Sequence, residues 1–430
     1  HEYETLRDNT VVSFPLTSLS ELPNALIRAR IAANLTQKEL ADRLNVKQQQ
    51  IQRYEDGGYQ RASLDRLLTV ADALGLQLAA TKLLSTKKLS ANKLLQHLNT
   101  LGLSKRFIQL RLAPPEFLGP LSEVGDGSTL KLIGRLNRVF GWTMEELLSN
   151  QPLQPIKLEA VAFRLHQNQN QSKLAAHTKY ARYIAELAAK ALPPSTPSLP
   201  IPQTSSEMLE LLDHSYQGPN FFSALQCLWD LGVVTVPFDD PGAFQGAAWR
   251  IGGRNIIALN TRHPFDARWC HDLLHEAHHL TQSLEQDELE IIEPPHNQLG
   301  VVDVEALKAS KEERDAEAFA QEVELRGQAE KLVKKVTQLS SNQIPHFKHF
   351  TAKVAADANV EVGSLANYLA WRLSLQGEDW WGAAQNLQER GDALAKARSE
   401  LFNRLDLDLL NEEERQLIIQ ALRSTGDLNE

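Results

Sequence analysis

Residues Trp269 to Gln282 read WCHDLLHEAHHLTQ. Leu273, Leu274, Ala277 and Leu280 recur at spacings of three and four with no Pro or Gly between them, which predicts a helix. On a helix His275 and His279 sit one turn apart and leave from one face, so both imidazoles can grip a single cation. Glu276 is rotated about a quarter-turn from them, off the ligand positions but within reach of a water on that cation. This is the H-E-x-x-H pattern, two ring ligands for zinc beside a carboxylate base. It requires a third ligand from elsewhere in the chain.

Working outward from this helix, LGVVTVPF, AAWRI and NIIALN predict three strands, and Gly252-Gly253 between the last two predicts a hairpin turn. After the helix comes a less regular acidic stretch from Glu285 to Glu305, then a helix expected from Ala306 through Leu332. That helix contains KEERDAEAFAQEVELRG, with Glu313 and Glu317 one turn apart. Together, GAAWRIGGRNIIALNTR, LLHEAHHL and EERDAEAFA resemble the ImmA/IrrE family of metallopeptidases over roughly residues 210 to 335. The resemblance implies Zn2+ held by His275, His279 and Glu313, with Glu276 as the general base. It also implies Glu317 as the acid that steadies a ligand histidine from outside. The chain departs from the family pattern at His278, where a glycine is usual, and at Glu317, where Asn or Asp is usual. Peptide hydrolysis needs a donor for the tetrahedral oxyanion, for which His271, His278, His296 and Arg372 are the candidates. VAADANVEVGSLANYLAWRL resembles the small helical element that follows the peptidase core, with Trp380-Trp381 expected to pack.

The front of the chain carries a different signal. LPNALIRARIAANL is an amphipathic helix; Thr36 then caps TQKELADRL, with Glu39 three residues on completing a capping box. Asn45-Val46 makes a tight turn, Lys47 to Glu55 forms the next helix, and Gly57-Gly58 ends it. SLDRLLTVADALGL closes the bundle between Ser63 and Gly75. Two short helices across a brief turn are a helix-turn-helix. The second helix offers Lys47, Gln48, Gln49 and Gln52 outward, and glutamine matches the donor–acceptor edge of adenine in the major groove. Ile51 and Tyr54 face inward. Gln37, Arg28, Arg30 and Arg53 are placed for phosphates. LTQKELADRLNVKQQQIQRYEDG resembles the Cro/C1-type (XRE-like) helix-turn-helix family across residues 21 to 78, which implies binding to double-stranded operator DNA, with these domains acting as dimers.

From Ala73 to Pro115 there is no Asp or Glu, whereas Lys82, Lys87, Lys88, Lys93, Lys105, Arg106 and Arg111 fall in the same stretch. A one-sign segment in a chain of net charge −9 calls for an acidic partner, and Lys105, Arg106 and Arg111 are the residues offered to DNA phosphates. Helical patterns over 90–152 read as a second helix-turn-helix-like module. Five prolines between Pro193 and Pro202 read as a semi-rigid spacer and a domain boundary. The expected organisation is an arm (1–20), a DNA-binding domain (21–80), the second module (90–152), a helix with the Pro-rich linker (153–205), the zinc peptidase domain (206–382) and C-terminal helices (383–430).

The fold class expected is mainly α: an N-terminal all-α helix-turn-helix bundle or bundles, then an α+β zincin-like domain with a small sheet. At 430 residues, two to four domains are expected. No apolar run reaches membrane-spanning length and no signal-peptide pattern opens the chain. Two cysteines, Cys227 and Cys270, exclude a disulfide scaffold, and the expectation is a cytoplasmic protein. The function expected is a DNA-binding regulator whose peptidase cleaves a helix-turn-helix repressor partner, or itself, in a stress or regulatory response. The alternatives are a transcription factor whose peptidase-like domain senses a ligand or metal without turnover, and a fused toxin–antitoxin-like regulator.

Overall fold

The structure, a computed structural model, describes residues 21–59, 62–76, 91–149, 152–156, 169–240, 244–282, 288–293, 311–341 and 343–423. The expected arm over 1–20, Lys82, Lys87, Lys88, His296 and most of the 285–305 stretch lie outside the described residues. The chain divides into two compact units, His1–Lys88 and Leu89–Glu430.

Among its described residues the first unit has four helices, α1 (Leu22–Ala32), α2 (Gln37–Arg43), α3 (Gln48–Asp56) and α4 (Leu64–Ala73). Its start and stop signals act as the sequence predicts. Thr36 and Glu39 exchange a reciprocal capping box at α2, and the Ser63 hydroxyl accepts from Arg66 N at α4. Asn45 takes the left-handed conformation (φ 51°) that the α2–α3 turn demands. Leu22, Leu26, Leu40, Ala41, Ile51, Tyr59, Val70 and Ala71 close one small core.

The second unit is built on a four-stranded sheet: β1 (Val234–Pro237), β2 (Gly246–Ile251), β3 (Arg254–Leu259) and β4 (Leu289–Glu293), in the order β1-β3-β2-β4. β2 and β3 are the predicted hairpin, turning through Gly252 and Gly253 at φ 54° and 75°, where a side chain would be strained. β1 runs parallel to β3. β4, which lies in the acidic stretch read as irregular, pairs antiparallel with β2. Its missing alternation is explained by its place at the edge, where only Ile292 is fully buried.

Helices cover both faces of this sheet. On one side α9 (Gln169–Lys190) sends Arg182 to Glu290 on β4, which also accepts from Trp249 Nε1 on β2. On the other lies α12 (Asp266–His279), the H-E-x-x-H helix, whose end is fixed by Arg250 donating to Leu280 O at 2.6 Å. Trp249 and Arg250 are neighbours in β2 and point to opposite faces, as the pleat requires. β1 and the last four residues of β3 are buried throughout, which fits strands covered on both sides.

The expected helix from Ala306 to Leu332 is two helices among the described residues, α13 (Lys311–Glu324) and α14 (Ala329–Leu339). Arg326 and Gly327, at φ 55° and 65°, break it. α14, α15 (Ile344–Ala358), α16 (Val362–Ser374) and α17 (Trp381–Gln385) surround a second apolar core of their own. Trp380 is buried in that core as expected, while Trp381 is exposed.

The boundaries drawn at 153–205 and at 383 do not separate independent cores. One apolar cluster runs from Ala91 through the sheet to Leu422. The Pro-rich stretch is a strap bound to it rather than a spacer. Leu199 N donates to Leu231 O, and Arg254 donates to Thr196 O and Pro197 O. Gly232 (φ 87°) leaves no room for a side chain, since a methyl group there would fall 1.9 Å from Pro197 O. The tail helices α18 (Ala393–Arg404) and α19 (Glu412–Ala421) bury Ala397, Leu401, Leu417, Ile418 and Ala421 in the same cluster.

The 90–152 segment also joins this core. Its helices are α5 (Ala91–Thr100), α6 (Lys105–Arg111), α7 (Asp126–Phe140) and α8 (Met144–Leu148). The α5–α6 turn at Gly102 (φ 85°) sits so close to α9 that a methyl group would fall 2.4 Å from Lys173 Cα. In α6 the side chains of Phe107, Ile108, Leu110 and Arg111 are buried, leaving Lys105 and Arg106 exposed. The phosphate role expected of Arg111 is therefore corrected. It is 0 % exposed, donates to Asp240 Oδ1 at 2.8 Å and to Arg423 O at 2.7 Å, and so clasps the end of β1 to the tail.

His177 on α9 is buried with its ring against Phe107, centroids 4.1 Å apart. Burial, with the nearby Lys173 charge, pushes its pKa down to about 3. The unfolded chain, whose histidine titrates near ~6.5, therefore takes up this proton first. Stability falls as pH drops from about 6.5 toward 3, by up to about 1.4 kcal/mol per pH unit. In urea unfolding followed by circular dichroism, His177→Leu is expected to lose less stability than wild type between pH 6.5 and 4. A difference that stays constant with pH would show that this proton plays no part.

Candidate metal centre and nucleic-acid interface

α12 is locked before its histidines are reached. Trp269 Nε1 donates to His263 O at 2.9 Å, and the Trp269 ring meets Phe221 edge-on. Asp272 accepts from Thr261 Oγ1 at 2.6 Å and pairs with Arg268 at 2.9 Å. Asp266, in the first turn, accepts from Ala393 N and from Lys396. Cys270 packs as a buried apolar residue whose thiol burial pushes well above its usual range.

α13 lies alongside α12 and runs antiparallel to it, as the partners show. His271 meets Glu324 and Glu317, His275 meets Glu317 and Glu313, and His279 meets Glu313. Residues four apart on a helix share a face, so a histidine stripe on one helix faces an acid stripe on the other. At one end three donors converge. His275 Nε2 lies 3.1 Å from His279 Nε2 and 3.1 Å from Glu313 Oε1, and His279 Nε2 lies 3.5 Å from Glu313 Oε1. A tetrahedral zinc with bonds of ~2.0–2.1 Å holds its ligand atoms about 3.3 Å apart, so this triangle has the size of one ion.

The outward ring nitrogens are also accounted for. His279 Nδ1 lies 3.2 Å from Gln282 Oε1, and His275 Nδ1 lies 3.7 Å from Glu317 Oε2. The Gln282 oxygen favours the Nδ1–H tautomer of His279, the Glu317 carboxylate favours positive charge at His275 Nδ1, and both Nε2 atoms turn inward. The structure thus brings His275, His279, Glu313 and Glu317 together, and two imidazoles with a carboxylate are a donor set that fits a zinc-like cation.

Glu276 is 0 % exposed and its carboxylate lies against β2 at Gly246. A methyl group on Gly246 would fall 1.8 Å from Glu276 Oε1, so only glycine leaves the carboxylate its place. Of the oxyanion candidates, His271 has a carboxylate on each ring nitrogen, at 2.9 and 3.1 Å. Burial opposes its charge, but Glu317 and Glu324 outweigh that and push its pKa up to about 10. The same charge holds Glu317 far below the usual carboxylate range against its burial. His278 stacks on Phe319, its pKa lowered by burial and by His279, and Arg372 is bound to Glu330. Sequence reading missed Glu324; its position seven residues after Glu317, two turns along the same face, was the available signal.

In the first unit, Lys47, Gln48, Gln49, Gln52 and Arg53 are all exposed on α3 while Ile51 is buried beneath them. Gln48 and Gln52 are one turn apart on the open face. Arg30 and Gln37, expected at phosphates, are instead held inside the unit. Arg30 grips the Glu55 carboxylate with two donors at 2.6 and 2.7 Å, and Gln37 donates to the same group at 2.8 Å. Arg28 stays exposed.

Residues 26–80 match the family model described as helix-turn-helix, of the XRE type, and this domain makes the protein a DNA-binding regulator. No curated protein and no solved structure matches the chain. No helix among the described residues is long and apolar enough to cross a membrane.

Replacing Gln48 and Gln52 together by Ala is expected to lower affinity for a selected duplex by at least tenfold, each bidentate contact being worth about 1–3 kcal/mol of discrimination. Weak, salt-sensitive binding to a scrambled duplex should survive. Anisotropy titrations at two salt concentrations would read this, and an unchanged preference would place sequence reading elsewhere.

Proposed function

We propose that the second unit holds one zinc ion on His275, His279 and Glu313 and hydrolyses peptide bonds, so that the chain joins an operator-binding domain to a metallopeptidase. What supports the reading is the triangle of inward-facing donors at 3.1, 3.1 and 3.5 Å, on two helices packed side by side. When bound, zinc would polarise a scissile carbonyl and acidify a water. The chain's own contribution is to bring the three ligands together and to keep Glu276 buried on the same helix as the two histidines. Glu276 would take the proton from the attacking water and pass it to the leaving amine. The proposed substrate is a helix-turn-helix repressor partner, or the protein itself, cleaved in a stress or regulatory response. Acting as a homodimer on two half-sites suits the DNA-binding domain.

A second reading rests on the complete burial of Glu276. In it, the site binds metal as a sensor without turnover and transmits occupancy to DNA binding.

Two outcomes are expected. Metal analysis of the purified full chain gives about one zinc per wild-type chain and none in His279→Ala; an empty wild-type site in protein never exposed to chelator would overturn the metal reading. Glu276→Gln keeps its zinc but loses cleavage and any derepression that depends on it. Regulation as in wild type in that variant would leave the sensor and remove the peptidase.

A further inference from the structure

Beyond the three ligand residues, the antiparallel α12–α13 pair carries a continuous polar chain through a layer that packing alone would fill with leucine. On α16, Ser364 Oγ donates to Glu324 Oε1 at 2.7 Å. Glu324 Oε2 lies 2.9 Å from His271 Nδ1, and His271 Nε2 lies 3.1 Å from Glu317 Oε2. That same Glu317 oxygen stands 3.7 Å from His275 Nδ1. Ser364 and Glu324 are buried, and α16 approaches α12 so closely at Gly363 that a methyl group there would fall 2.7 Å from Ala267 Cβ.

We infer that Ser364, Glu324, His271 and Glu317 form a positioning relay that sets the orientation of His275, tying the metal centre to the separate apolar core of α14–α17. The inference rests on reading His275 as a metal ligand. The Glu317 side chain is 43 % exposed, so packing does not hold it; His271 on one oxygen and Gln321 on the other do. Without His271 the carboxylate keeps only its Gln321 contact and can turn about it, which takes its charge away from His275 Nδ1. Glu324 in turn fixes His271, and Ser364 fixes Glu324. A buried ionic chain is a poor way to gain stability, because desolvation consumes most of its attraction. It is a good way to impose one geometry. Movement of α16 would pass through three hydrogen bonds to Glu317, whose carboxylate faces His275 Nδ1 at 3.7 Å.

The test uses the full-length protein and the metal alone: zinc affinity by competition with a chromophoric chelator, and the visible spectrum of the Co2+-substituted protein. Glu317→Gln and His271→Phe are each expected to weaken zinc about 10- to 100-fold and to change the Co2+ bands. Ser364→Ala, farther along, should weaken it several-fold. His271→Gln, which can still donate to Glu317, should recover part of the loss. The double variant His271→Phe with Glu317→Gln should be no weaker than the weaker single variant, because both act through one path. Glu317 is half-exposed, so its variant folds even where His271→Phe does not. If the wild type binds zinc and Glu317→Gln shows the same affinity and Co2+ spectrum, the relay is overturned and the metal site stands. A wild type that binds neither ion removes both.

Discussion

The arrangement of the second unit depends on one contact, the antiparallel packing of α12 against α13. Each helix has a polar stripe that would be ruinous to bury alone, three histidines on one side and three acids on the other. Set face to face, each stripe supplies the other's partners, and α12 can be pressed against the sheet. The sheet supplies the opposite constraint. Gly246 on β2 leaves the space that Glu276 fills, and Arg250 on the same face holds the end of α12. Cost and compensation therefore sit side by side, and donors from two helices converge to about 3 Å of one another.

Around that layer the unit is tied by long-range polar clasps rather than assembled from modules. Arg111 reaches from α6 to Asp240 after β1 and to the carbonyls of Gln420 and Arg423 in the tail. Arg135 on α7 donates to Glu413 and Gln420 on or near α19. Asp266 at the start of α12 receives Ala393 N and Lys396, and Gly391 is glycine because a side chain there would collide with that carboxylate. Segments more than a hundred residues apart thereby fix the same helix. The proline-rich strap follows the same logic: its carbonyls, unable to enter a helix, are met by Arg254.

The two helix-turn-helix-like pairs differ in what they bury. α3 hides Ile51 and presents Lys47, Gln48, Gln49, Gln52 and Arg53. α6 hides Phe107, Ile108, Leu110 and Arg111 and presents little beyond Lys105 and Arg106. A groove-reading helix needs a free face, and the core has taken most of the one on α6. The Arg30–Glu55 clasp shows the reverse economy in the first unit, where charges that look available in sequence are used to hold α1 against α3.

The sequence by itself determined whatever is set by neighbours within one or two turns. The capping box at Thr36, the left-handed turn at Asn45, the Gly252–Gly253 hairpin and the shared face of His275 and His279 all follow from local spacing. Spacing likewise puts Glu313 and Glu317 on one helix face, while the roles expected of them came from the family resemblance. Only the tertiary structure decided which charges remain free. Arg30, Gln37 and Arg111 resemble surface donors in sequence, because a partner 18 to 312 residues away leaves no periodic trace. Nor could spacing show that β4 completes the sheet, that the prolines bind rather than separate, or that Glu324 and Ser364 stand behind His271. Those facts depend on which faces meet, and that is settled by burial across the whole fold rather than by any stretch of it.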